Sequence, residues 1–191
     1  MSMSPPENES LKRWSDAFAA GLERMEALTG DLTPRQFNFR PGPDRWSVGQ
    51  CIEHVSVSMG VYLDPMEPVI EEADLPGEEP YGRGTFLGRL LVGALRKPKG
   101  RYRAPRRFRP SQSELDPEAV RQKFRRQTAR MERALREADG LALGRIKMGW
   151  PVFGLIKISL AQAFELQAIH TERHLDQAER VTRAEGFPAG G

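Results

Sequence analysis

Cysteine is nearly absent from this chain. The single residue, Cys51, rules out an intrachain disulfide and agrees with a reducing compartment. Long apolar runs are missing too: the most apolar windows, Phe86 to Leu95 and Val152 to Leu160, are broken by Arg89 and Lys157. Both are too short to span a bilayer. The first residues, Met-Ser-Met-Ser-Pro-Pro-Glu-Asn-Glu, lack the basic and apolar regions of a secretory signal, so a soluble, cytoplasmic protein is expected. β-Branched residues are sparse and no stretch alternates apolar and polar for long, which argues against strands. A large charge excess is missing as well: the formal net charge of +3 is too slight to point to nucleic acid.

What remains is a chain of 191 residues rich in Leu, Ala, Glu, Arg and Gln, long enough to bury one core. The expectation is a single all-α domain. Leu11 to Leu28 places apolar residues at 11, 14, 18, 22, 25 and 28, the spacing of a first helix. Thr33-Pro34-Arg35-Gln36 reads as a capping box on one short turn. Ser47 and Gln50 form a second box, with Trp46 as a staple, and open a second helix. That helix runs through His54 to Leu63; Pro65 and Pro68 are expected to kink or end it, with a remnant to Glu72.

Residues 74–115 read as a long crossover with a short helix at Phe86 to Leu95. Its acids come first, and Arg83 to Arg109 then follow without an intervening acid. Asp116-Pro117-Glu118 opens a third helix that Gly140 closes. After a Gly-rich loop holding Trp150 and Pro151, a fourth helix runs from Ile158 or Ser159 to Ala184, stopped by Gly186. Residues 1–9 and 187–191 read as tails.

Histidine is scarce, and its placement is informative. Of three in the chain, His170 and His174 lie four apart in an unbroken helical run. On a helix such residues stack on one face about 5 to 6 Å apart, so both imidazoles can address one point. His54 lies in the second helix, and the three together are expected to bind one divalent metal inside a helix bundle. Three histidine ligands leave coordination positions open, the pattern of a catalytic site. Neutral imidazoles do not offset the metal's charge, so an anionic further ligand is favoured. The motif is not H-E-x-x-H, because Thr171 follows the first histidine; Glu172 falls on the opposite side of the helix.

Around the histidines, Gln50, Cys51, Gln167, Gln177 and Trp150 are candidate neighbours or pocket residues. Each has a structural alternative. The amides serve equally as helix-interface hydrogen bonds, Cys51 as a small buried thiol and Trp150 as a core residue. Arg96 to Arg109, with Tyr102 and Phe108 interleaved, reads as a solvated or dimer-contacting crossover, as a nucleic-acid footprint, or as a wall holding an acidic substrate or thiol.

Trp46-Ser47 leading to His54, the long crossover, and the ending His170-Thr171-Glu172-Arg173-His174-Leu175-Asp176-Gln177 resemble the DinB-like, or YfiT-like, metal-binding four-helix bundles. The resemblance covers nearly the whole chain. It implies an up-down-down-up four-helix bundle in which His54, His170 and His174 hold Zn, Ni, Fe or Mn. It further implies a thiol-dependent S-transferase using a low-molecular-weight thiol such as mycothiol or bacillithiol; the alternatives are a metal-dependent hydrolase and a non-catalytic stress-related binder of metal or small molecules. The expected partners are a small-molecule substrate and a second copy in a homodimer, not nucleic acid or a membrane.

Overall fold

The computed structural model describes residues 6–77, 84–97, 108–110 and 114–189. In chain order the elements are α1 (Glu9–Thr29), α2 (Pro34–Asn38), α3 (Val48–Glu71), α4 (Phe86–Arg96), α5 (Pro117–Glu137), β1 (Lys147–Trp150), β2 (Phe153–Ser159) and α6 (Leu160–Thr182). The chain is mostly helical, as its composition implies.

Helix starts follow local chemistry. Asn8 caps α1 by accepting from the Ser10 and Leu11 amides. Reciprocal boxes start α2 (Thr33, Gln36), α3 (Ser47, Gln50) and α6 (Ser159, Gln162), each satisfying amides that a helix start leaves unpaired. Asp116 accepts from the Glu118 amide, with Pro117 opening α5. Gly140 and Gly186 take positive φ just past α5 and α6, where a side chain would strain the backbone.

One expectation is narrowed and one corrected. Of the two outcomes expected at Pro65 and Pro68, a kink or an end with a remnant to Glu72, the end does not occur: α3 continues to Glu71. Each proline removes a helical donor, yet Met66 and Ile70 stay buried beyond them, and Arg130 of α5 pairs with both Asp64 and Glu67. Tertiary contacts on both sides of the prolines hold the helix together. The stretch before α6 is not a loop but an antiparallel hairpin, β1 on β2, with Met148 opposite Ile158 and a bulge at Gly149/Trp150. Only Met148, Ile158 and Ser159 are buried in the two strands, too few for a recognisable period-2 pattern.

The four long helices pack pairwise: α3 lies against α5 and α6, and α1 lies against the same two. Leu11, Trp14, Phe18 and Met25 of α1 meet Phe124, Met131 and Leu135 of α5 and Phe164 of α6 in one buried cluster with α3. Trp14 stacks on Phe164 with ring centroids 5.8 Å apart. The short α4 docks on α6 and the hairpin. Its seat is tight: a Cβ on Gly88 would fall 2.1 Å from Gln162 Oε1, so a side chain there would displace the buried Gln162 amide. Gln162 Nε2 donates to the Thr85 carbonyl (2.9 Å), and Thr85 Oγ1 donates to the Lys157 carbonyl (3.0 Å). Among the described residues no helix is long and apolar enough to cross a membrane.

Candidate metal centre

His54 sits on α3 almost two turns past its start, and His170 and His174 sit in the middle of α6, which packs against α3. The capping box at Ser47 sets where α3 begins and so where His54 points. On α6 the four-residue spacing stacks the other two rings. The three imidazoles form a nearly equilateral triangle, with ring centroids 4.8 Å (His54 to His170), 4.5 Å (His54 to His174) and 4.6 Å (His170 to His174) apart. One nitrogen from each lies within 4.8 Å of the other two.

Hydrogen bonding assigns one tautomer. His54 Nδ1 lies against the Phe108 carbonyl oxygen, which only accepts, so Nδ1 carries the proton. His54 Nε2 is therefore bare, and it faces His170 Nε2 at 3.0 Å. The Nδ1 atoms of His170 and His174 are buried without a hydrogen-bond partner. Tetrahedral zinc sets its nitrogen ligands ~3.3 Å apart, inside the span over which one nitrogen of each ring lies from the others. A bare lone pair aimed at a second imidazole, with a nitrogen of the third ring in reach of both, is a donor set that fits a divalent cation.

Electrostatics agree with neutral rings. Burial lowers the pKa of His54, against the opposing effect of the Phe108 carbonyl. Burial lowers His170 well below the ordinary imidazole value, helped by His174, His54 and the Arg173 guanidinium. His174 is pushed down to about 3, first by burial and then by His54 and Arg173; Gln177 opposes the shift without bonding Nδ1. Each ring thus keeps the unprotonated form that a metal needs.

Trp46 closes one side, its ring centroid 4.7 Å from that of His54 and 5.6 Å from that of His174. Read from sequence as a staple, it packs directly on two of the imidazoles. Its place just before the Ser47 cap was the available signal. Phe108 was also missed as a site residue, because a backbone carbonyl has no residue-type signature. It brings the end of the crossover onto the histidines.

The other candidates divide. Gln177 lies beside His174. Gln50 is engaged in its capping box, accepting from the Ser47 amide at 3.2 Å. Gln167 and Ser58 hydrogen-bond to each other at 3.2 Å across the α3/α6 interface. Trp150 donates from Nε1 to Tyr62 Oη at 2.7 Å, eight residues along α3 from His54. Cys51 is buried, its thiol pushed up to about 12 by burial, and no cysteine or carboxylate joins the histidine group among the described residues. Glu172 is exposed. Of the basic segment, Arg96 pairs with buried Glu165 and Arg109 is exposed; residues 98–107, and with them the choice among its readings, lie outside the described residues.

A three-histidine cluster is thus held between two packed helices. The sequence model of the DinB superfamily matches residues 17–178. The chain belongs to the DinB superfamily. The match takes in His54, His170 and His174, and Trp46 with them. No curated protein and no solved structure matches the chain. For a DinB superfamily member, the cluster is compatible with metal binding.

Proposed function

We propose that the protein is a metal-dependent enzyme of thiol-dependent S-transferase type, with His54, His170 and His174 as ligands of one divalent metal. The observation carrying this reading is the His54 tautomer: its Nδ1 proton is committed to the Phe108 carbonyl, leaving Nε2 bare at 3.0 Å from His170 Nε2. Bound there, Zn, Ni, Fe or Mn would act as a Lewis acid and lower the pKa of a coordinated thiol or water.

The chain's own residues favour an incoming thiol over one of its own. The Cys51 thiol is held protonated by burial and stands outside the ligand group. A nucleophilic sulfur therefore arrives with a small-molecule thiol. Arg173 places positive charge near His170 and His174, and Arg180 adds charge near His174, so an anion is drawn to this face. Trp46 shields the same rings from solvent on one side. Hydrolysis needs a general base to activate water unless the metal alone suffices, and no carboxylate stands in the histidine group among the described residues. That favours thiol transfer.

We also read the four long helices as an up-down-down-up bundle, with the crossover carrying the chain between α3 and α5, and the active form as a homodimer. The pairwise packing of α1 and α3, each on both α5 and α6, supports the bundle.

The deciding experiment is elemental analysis of protein purified without an affinity tag or added metal. Turnover of an electrophile with mycothiol or bacillithiol is then measured on the same sample. One equivalent of metal and thiol-dependent turnover, both lost in His170→Ala, is the expected result. Normal metal content in that variant would remove the site, while metal without turnover would leave a binding protein.

A further inference from the structure

Among the described residues, five large apolar side chains stand in solvent, and they come from two elements. Phe86 (66% exposed), Leu87 (47%) and Leu90 (55%) lie on α4, and Phe153 (62%) and Leu155 (100%) on β2. The two elements pack together, joined by the hydrogen bond from Thr85 to the Lys157 carbonyl. Gly88 and Val92 face inward, so the exposed residues are the outer face of α4 and not a failed core. Along β2, Phe153, Leu155 and Lys157 alternate to the same side. Exposed apolar clusters of this kind mark a contact surface.

Every charged residue within α4 and β2 is basic: Arg89, Arg96 and Lys157. Both elements come from stretches without a single acid, residues 80–113 and 140–164. Arg89 lies over the Phe86 ring at 5.8 Å, and Lys97 and Lys157 are exposed at the edges. A two-fold contact with a second copy would map this patch onto itself and bring like charges together. Aliphatic leucines offer a nucleic acid nothing to hydrogen-bond. Apolar side chains rimmed by cations suit a surface that is hydrocarbon beneath and anionic above.

We propose that the α4/β2 face docks on an anionic lipid bilayer, with Phe86, Leu87, Leu90, Phe153 and Leu155 entering the acyl boundary and Arg89, Lys97 and Lys157 meeting lipid phosphates. The contact is peripheral. The absence of a helix able to cross a membrane is unaffected by it. It is also independent of the metal, since none of these side chains belongs to the histidine group.

The test is co-sedimentation of the full-length protein with vesicles of phosphatidylcholine alone, or with one lipid in three replaced by phosphatidylglycerol. Each cation near an anionic surface strengthens binding roughly fivefold, so the mixed vesicles should bind at least tenfold more tightly. Lys97→Glu with Lys157→Glu should bring binding down to the neutral-vesicle level. Leu87→Gln with Leu155→Gln should weaken it on both vesicles, while circular dichroism shows an unchanged fold, and His170→Ala should bind as the parent does. Equal binding to both vesicles, or none, would overturn the proposal. So would a dimer in analytical ultracentrifugation that the leucine variant disperses, which would give the patch to a second copy.

Discussion

His54 and Phe108 are joined through a ring nitrogen and a backbone carbonyl, and this contact selects the imidazole tautomer that faces His170. The rest of the centre depends on that orientation. Hydrogen bonds to the far nitrogen of an imidazole generally fix its rotation and raise its basicity as a ligand.

Metal should stabilise the fold as well as occupy it. A ligand that binds only the folded state, at a hundred times its dissociation constant, adds about 2.7 kcal/mol, a rise in Tm of roughly 5 to 10 °C for a chain of this size. Thermal melts of chelator-treated protein with and without zinc measure this. His170→Ala and His174→Ala should show no rise; an undiminished rise in both would place the metal elsewhere.

The metal-free protein should lose stability in mild acid. Folded-state pKa values of His54, His170 and His174 lie below the ordinary imidazole value of 6.5, with His174 at about 3. Below pH 6.5 the unfolded chain gains protons that the folded chain refuses. Stability is therefore full above 6.5 and falls as pH drops below it, by up to ~1.4 kcal/mol per pH unit for each histidine. The Arg173 guanidinium beside His170 and His174, and that of Arg180 beside His174, deepen the effect. Urea midpoints at pH 7.5 and 5.5 should differ accordingly in metal-free parent protein, and less in His170→Gln. A midpoint indifferent to pH would show that the rings accept protons freely.

Trp46 should report metal arrival optically. It lies on two imidazoles, whereas Trp150 is tied to Tyr62 and Trp14 stacks on Phe164. Nickel or copper titrated into the apoprotein should quench its fluorescence. Trp46→Phe should abolish most of the change and Trp150→Phe should retain it; the reverse pattern would separate Trp46 from the centre.

Gly49→Ala should destabilise the start of the helix that bears His54. A Cβ there would lie 2.3 Å from the Phe37 ring, which is fully buried and has little room to move. Overpacking of this kind costs about 1 to 3 kcal/mol. Gly93→Ala, in α4 with nothing within 4 Å, should instead stabilise by about 0.5 to 1 kcal/mol. Thermal denaturation of the two variants should give shifts of opposite sign, and a loss in both would refute the packing argument.

Much of this was legible from residue type and spacing. Ser47 with Gln50, Thr33 with Gln36 and Asp116 with Pro117 announce helix starts through hydrogen bonds made within a few residues, and all three start where expected. The His170 and His174 pair follows from helical periodicity alone. The hairpin of β1 and β2 was hidden because it buries too few residues to leave a period. Whether α3 would end at its prolines was left open by the sequence because Arg130, which bridges Asp64 and Glu67 around them, comes from another helix.

Local chemistry thus determined the helices and nominated three histidines, since caps and periodicity act over one or two turns. Only tertiary packing decided that His54 meets the α6 pair, that the Phe108 carbonyl sets its tautomer, that Trp46 packs on two of the rings, and that Gln167 bonds Ser58 and Trp150 bonds Tyr62. Those contacts join residues dozens of positions apart, and their energies exist only once α3, α6 and the end of the crossover are packed together.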